Sequence, residues 1–119
     1  MSISSNVTNH VVFSGDQLTE LIWNSGELTD SPGTQELKTL AIGDNTITVP
    51  SIDDFTVHGV AFVMPAANTV EPILKGAGAD TGITISARNV SVVNFGDTPP
   101  ASFILEVDAE LVGIRLVWF

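Results

Sequence analysis

Residues His58 to Met64 alternate strictly, with His58, Val60, Phe62 and Met64 on one side and Gly59, Ala61 and Val63 on the other. A period of two belongs to a strand with two chemically distinct faces. Pro65 ends the run because it has no N–H to give a neighbouring strand. Asn68 to Lys75 opens a second strand. Gly76, Gly78 and Gly82, with Asp80, supply the tight connection to a third at Ile83–Ser86. The same rhythm recurs in Glu36–Ile42, Ser102–Val107 and Leu111–Phe119, and Val11–Phe13, Thr46–Val49 and Val90–Phe95 read as further short strands. Gly43–Asn45 predicts a short hairpin loop between Glu36–Ile42 and Thr46–Val49. Gln17–Trp23 fits either a short strand or a helical turn, because Leu18, Leu21 and Ile22 also have helical spacing; the β pattern elsewhere favours the strand. Asn24–Gly33, Pro50–Asp54 and Gly96–Pro100 read as surface loops, rich in Gly, Pro, Asp and Ser.

The last stretch places Val112, Ile114, Leu116 and Trp118 on one face and Leu111, Gly113, Arg115, Val117 and Phe119 on the other. Both faces are mostly apolar, which predicts a central strand or one covered on both sides. Turn signals fall every eight to twelve residues and no βαβ rhythm is present. The expectation is an all-β protein, a β-sandwich or jelly roll of about nine or ten short antiparallel strands. It forms a single domain over residues 1–119, with residues 1–9 as a frayed start or a flexible arm that pairs with a neighbour.

Composition narrows this further. Hydrophobic residues make up 44% of the 119, while charged residues make up 15%, against an average of about 25%. So few charges imply either unusually deep burial or an apolar surface covered by another subunit, which favours a homo-oligomer or a larger assembly. The net charge of −10 leaves Lys38, Lys75, Arg88 and Arg115 as the basic residues. Four scattered cations make no phosphate-binding footprint, which argues against nucleic acid. The same field repels an anionic membrane surface. There is no cysteine, and so no disulfide, thiolate metal site or cysteine nucleophile. The N-terminal ten residues lack the basic and apolar regions of a signal peptide. The apolar runs fall well short of the ~18 residues of a spanning helix, so the expectation is a soluble protein made in a cytoplasm.

Candidate chemistry is sparse. His10 and His58 are the two imidazoles, and no Gly-x-Ser-x-Gly elbow presents a serine to either. Asp53/Asp54 and Asp108/Glu110 are local carboxylate pairs in turn contexts, without the aromatic rows of a sugar cleft. Asp80–Thr81–Gly82 and Gly43–Asp44–Asn45 carry oxygen ligands for Ca²⁺, but Asx-type turns explain both more simply. Gly76-x-Gly78 lacks the third glycine and following helix of a phosphate loop. Trp23 and Trp118 read as core or interface residues rather than as a sugar platform, since the chain has no tyrosine. No catalytic residue, metal site or cofactor is implied.

From Gly59 onward the motifs Pro65-Ala66-Ala67-Asn68-Thr69, Ile73-Leu74-Lys75-Gly76, Gly78-Ala79-Asp80-Thr81-Gly82 and Ile114-Arg115-Leu116-Val117 stand in order. This half of the chain resembles small β-sandwich structural proteins of tailed bacteriophages, departing from their Gly-Asp-Thr-Gly-like turn by Ala79. The resemblance implies a non-enzymatic virion component in the head decoration, neck or tail. Such a protein is made in the host cytoplasm and acts with identical copies and other virion proteins. Trp118, Phe119, Trp23 and Arg115 are the expected contact residues. The rival reading is a glycan- or receptor-binding module on the loops Asn24–Gly33 and Gly96–Pro100, with Glu27, Asp30 and Asp97 as candidate binding residues.

Overall fold

The computed structural model describes residues 3–13, 19–24, 28–31, 33–51 and 55–119, and the side chains of 6–8, 28, 33–51 and 55–119. In chain order the strands are β1 (Ile3–Ser5), β2 (Thr8–Phe13), β3 (Thr19–Asn24), β4 (Leu28–Ser31), β5 (Thr34–Leu40) and β6 (Gly43–Thr48). They continue as β7 (Gly59–Val63), β8 (Ile73–Lys75), β9 (Ile83–Thr84), β10 (Ser91–Asn94), β11 (Ser102–Val107) and β12 (Leu111–Trp118). The described residues contain no helix, and so none long and apolar enough to cross a membrane.

Eight strands form two four-stranded antiparallel sheets. The first runs β10-β7-β12-β5 and the second β6-β11-β8-β9. They are called here the β12 sheet and the β11 sheet, after their central strands. Their inner faces share one core: Leu40, Phe62, Ile114, Leu116 and Trp118 from one sheet meet Ile47, Phe103, Leu105 and Val107 from the other. The Phe103 ring joins the layers, lying edge-on to Phe62 at 5.9 Å and tilted against Trp118 at 6.1 Å. Each such aromatic pair adds about 0.5–1.5 kcal/mol to the area it buries. The protein is therefore all-β and sandwich-like, as its alternation implies.

Two further antiparallel pairs precede the sandwich, β1 with β4 and β2 with β3. β3 resolves the strand-or-helix ambiguity at Gln17–Trp23 in favour of the strand. β4 lies inside the segment read as the loop Asn24–Gly33, and β1 lies inside the expected arm over residues 1–9. These two elements take the strand number above the expected nine or ten. Ladder hydrogen bonds between β1 and β4 override the polar, turn-rich composition of both segments.

The expected hairpin at Gly43–Asn45 does not form. β5 pairs with β12 and β6 with β11, so the chain changes sheets at this corner. Asn45 fastens it. Its side-chain oxygen accepts from the Ala41 N–H at 3.0 Å, and its amide donates to the carbonyls of Ala41, Gly43 and Leu105 at 2.9–3.1 Å. Alternation fixes which side chains share a face but not which sheet a strand joins.

β12 is central, with β7 on one side and β5 on the other, as expected from its two apolar faces. The expected division of its side chains changes at one point. The register shifts between Val112 and Ile114, where Gly113 has φ +86°. This bulge adds one residue, so Leu111 joins Ile114, Leu116 and Trp118 inside while Val112 joins Arg115 and Val117 outside. Three other expected strands are shorter than read. Asn68–Lys75 reduces to β8 because the Asn68 side chain bonds Val70 and Ala87 instead of a ladder; Ile83–Ser86 reduces to β9 and Val90–Phe95 to β10.

Candidate functional site

The outward side chains of the β12 sheet follow from its registers. Arg115 stands opposite Leu37 of β5 and Val63 of β7. Val117 stands opposite Gln35 and Ala61, and Val112 opposite Thr39. On β10, Val92 shares the face through its pairing with Ala61. Leu37 is 69% exposed and Val112 61%. Antiparallel sheets with one solvated face ordinarily carry polar residues there. Here that face is mostly aliphatic, and Arg115 is its one charge among the described residues.

The other cations of the described residues are engaged. Lys38 lies 4.0 Å from Glu36, Lys75 pairs with Glu106 and with Asp44, and Arg88 Nε donates to the Asn68 carbonyl at 2.6 Å. No hydrogen bond or ion pair holds the exposed Arg115 guanidinium among the described residues. Arginine is enriched at protein interfaces, and the buried centre of an interface is more apolar than the rest of the surface.

The outer face of the β11 sheet differs. Thr46, Thr48, Ser102 and Thr84 stand on it with Asp44, Glu106 and Lys75, and Ile104 and Ile73 are the aliphatic exceptions. Lys75 lies between the two acids and also donates to the Gly78 carbonyl at 3.4 Å. The hydrogen bond to Glu106, helped by the charge of Asp44 and opposed by desolvation, raises the lysine above its ordinary value of 10.5. The following loop closes on itself: Asp80 Oδ2 accepts from the Ala77 N–H at 2.8 Å, and the Asp80 N–H donates to the Ala77 carbonyl at 3.0 Å. Asp80 thus serves its turn.

The tryptophan and phenylalanine expected at a contact surface lie elsewhere. Trp118 is fully buried, and its indole N–H donates to Glu36 Oε2 at 3.3 Å. It is a core residue, because the alternation of β12 directs it between the sheets. Phe119 is also covered within the chain. Its N–H donates to the Gly59 carbonyl, and its ring lies where a Gly59 side chain would be, 2.5 Å from an ideal Cβ. Glycine at position 59 is what admits this ring. Arg115 does lie on the exposed face. Asp97 is exposed in the loop after β10. Glu27 lies outside the described residues, as do the side chains of Trp23, Asp30 and His10.

His58 sits just before β7, half-buried; its N–H donates to the Phe119 carbonyl at 2.6 Å and its carbonyl accepts from Phe95 at 2.8 Å. Among the described residues no three His, Asp or Glu side chains gather as a metal site would require. Leu37 and Val63, the neighbours that make Arg115 part of a face, were not singled out from sequence. Their signal was an aliphatic residue at an outward strand position, readable only once the strand partners are known.

Compared with known proteins, the chain matches no family model, no curated protein and no solved structure. The geometry of its own faces therefore carries the functional reading.

Proposed function

We propose that this protein is a non-enzymatic structural component of a tailed-phage virion, a head decoration, neck or tail protein. It works by self-association and by docking on the particle through the outer face of the β12 sheet. The observation that carries the reading is that face, with Leu37, Val112, Val117, Val63 and Val92 around Arg115, which no ion pair holds among the described residues, on a chain of net charge −10. Folding requires apolar side chains only on the inner face. An aliphatic outer face leaves about 20–33 cal/mol per Å² of stabilisation unrealised until a partner covers it. On so acidic a chain it is also a face without a carboxylate among the described residues, where a second copy can approach without like-charge repulsion.

The strand order supports the particle reading. Numbered 1 to 8 from β5 to β12, the strands run 1-8-3-6 in one sheet and 2-7-4-5 in the other. We read this order as a jelly roll, an architecture used by viral capsid domains. The motif resemblance to tailed-phage structural proteins points the same way.

The test is to purify particles from a host that carries this coding sequence and to quantify the protein in them by mass spectrometry. A fixed copy number per particle, with antibody labelling confined to head, neck or tail, is the expected result. Absence from purified particles, with the protein left free in the lysate, contradicts the proposal.

A further inference from the structure

A second feature lies away from the β12 outer face and does not depend on the assembly reading. Between the β9 and β10 edges the two sheets part, leaving an open cleft of about 490 Å³. Among the described residues its floor is Phe62 and Phe103, with Leu74 and Ile83 on one wall and Val93 and Phe95 on the other. Ile83 marks it most clearly. It pairs with Leu74, which pairs with the fully buried Leu105, so all three share the inner face of the β11 sheet. Ile83 is nevertheless 69% exposed, an inward-facing aliphatic side chain that the opposite sheet does not cover.

The volume falls within the range of pockets that take small ligands, and the walls are of the apolar kind that encloses them. The polar part of the lining decides the ligand's charge. Lys75, Asp80 and Ser102 belong to it. The lysine is taken by Glu106 and Asp44 on the outer face, so it offers no free cation to an anionic head group. Asp80 and the net charge of −10 repel such a group further. We propose that this cleft is a binding site for an uncharged apolar small molecule, held by burial against the two phenylalanines and excluded from binding if it carries a carboxylate, sulfonate or phosphate.

The test is fluorescence titration with the uncharged probe N-phenylnaphthylamine, with its anionic relative anilinonaphthalene sulfonate run alongside. The expected result is saturable one-to-one binding of the neutral probe, about tenfold or more tighter than the sulfonate. Ile83→Asp, which puts a charge on the cleft wall, should weaken it by about tenfold or more. Thr84→Asp, one residue on and facing outward, should leave it unchanged. Val93→Trp, which fills the cleft from the other wall, should also remove binding while the melting temperature of each variant is recorded. No saturable binding, equal affinity for the sulfonate, or equal loss in Ile83→Asp and Thr84→Asp overturns the proposal. So does binding that falls as protein concentration rises, which assigns the cleft to a second copy. None of these results bears on whether the β12 face assembles.

Discussion

The outer faces of the two sheets come from the same alternation but carry different residues. On the β11 sheet the outward positions are mainly polar, with Thr46, Thr48, Thr84 and Ser102 beside the Lys75–Glu106–Asp44 cluster, and Ile73 and Ile104 as the aliphatic exceptions. On the β12 sheet Val63, Val92, Val112, Val117, Leu37 and Ala61 share the face with Gln35, Thr39 and Asn94, around Arg115, which no ion pair holds among the described residues. Both sheets solve the same folding problem on their inner faces, where burial dictates large apolar side chains. Their outer faces are free of that demand. A polar outer face is ordinary for an antiparallel sheet with one solvated side, and the more aliphatic β12 face departs from that pattern.

The comparison can be tested from the inside outward. The largest effect lies in the shared core: Trp118→Ala should destabilise the protein by about 3–5 kcal/mol in denaturant unfolding. A small loss would mean that β12 does not direct this ring between the sheets, and the division of its two faces would fail with it. Gly113 comes next, because its bulge sets which β12 residues face out. Gly113→Ala should cost about 1–2 kcal/mol, since φ +86° is a region L side chains rarely adopt. An unchanged unfolding midpoint would argue that the bulge is absent.

The smallest effect belongs to the polar face and is read from the alkaline limb of the stability profile. The folded-state value of Lys75 is raised, so the stability it contributes is complete below its unfolded value of about 10.5 and is lost as pH rises through the higher folded value. Wild type should therefore lose stability in that alkaline window, and Lys75→Met should lose less there. Identical pH profiles would remove the cluster from the account.

Most of the sandwich was legible because it rests on period two. Ser102–Val107 and Leu111–Phe119 match β11 and β12 almost residue for residue, and Val60 and Phe62 face the core as their alternation requires. What alternation omits is partnership. It could not separate β5 from β6 into different sheets, because Gly43–Asn45 has the composition of a hairpin turn and the role of a corner. It could not place the bulge, because Gly113 is a single residue whose effect is to reverse the pattern around it. Trp118 drew attention as a large aromatic, yet its position beside core residues was the better guide to its role. Arg115 was identifiable as one of four cations. Its aliphatic surroundings required the registers with β5 and β7.

We propose that the outer face of the β12 sheet, and not that of the β11 sheet, is covered by another subunit. The measurement that meets it most directly is solution mass by light scattering after size exclusion, over a dilution series. Wild type, a Leu37→Asp/Arg115→Glu variant and a Thr46→Asp variant would be run together. Wild type and Thr46→Asp should each run as an oligomer of fixed size, and the Leu37→Asp/Arg115→Glu variant as a folded monomer. Monomeric wild type at every concentration, or an oligomer that survives the Leu37→Asp/Arg115→Glu change, would contradict the proposal.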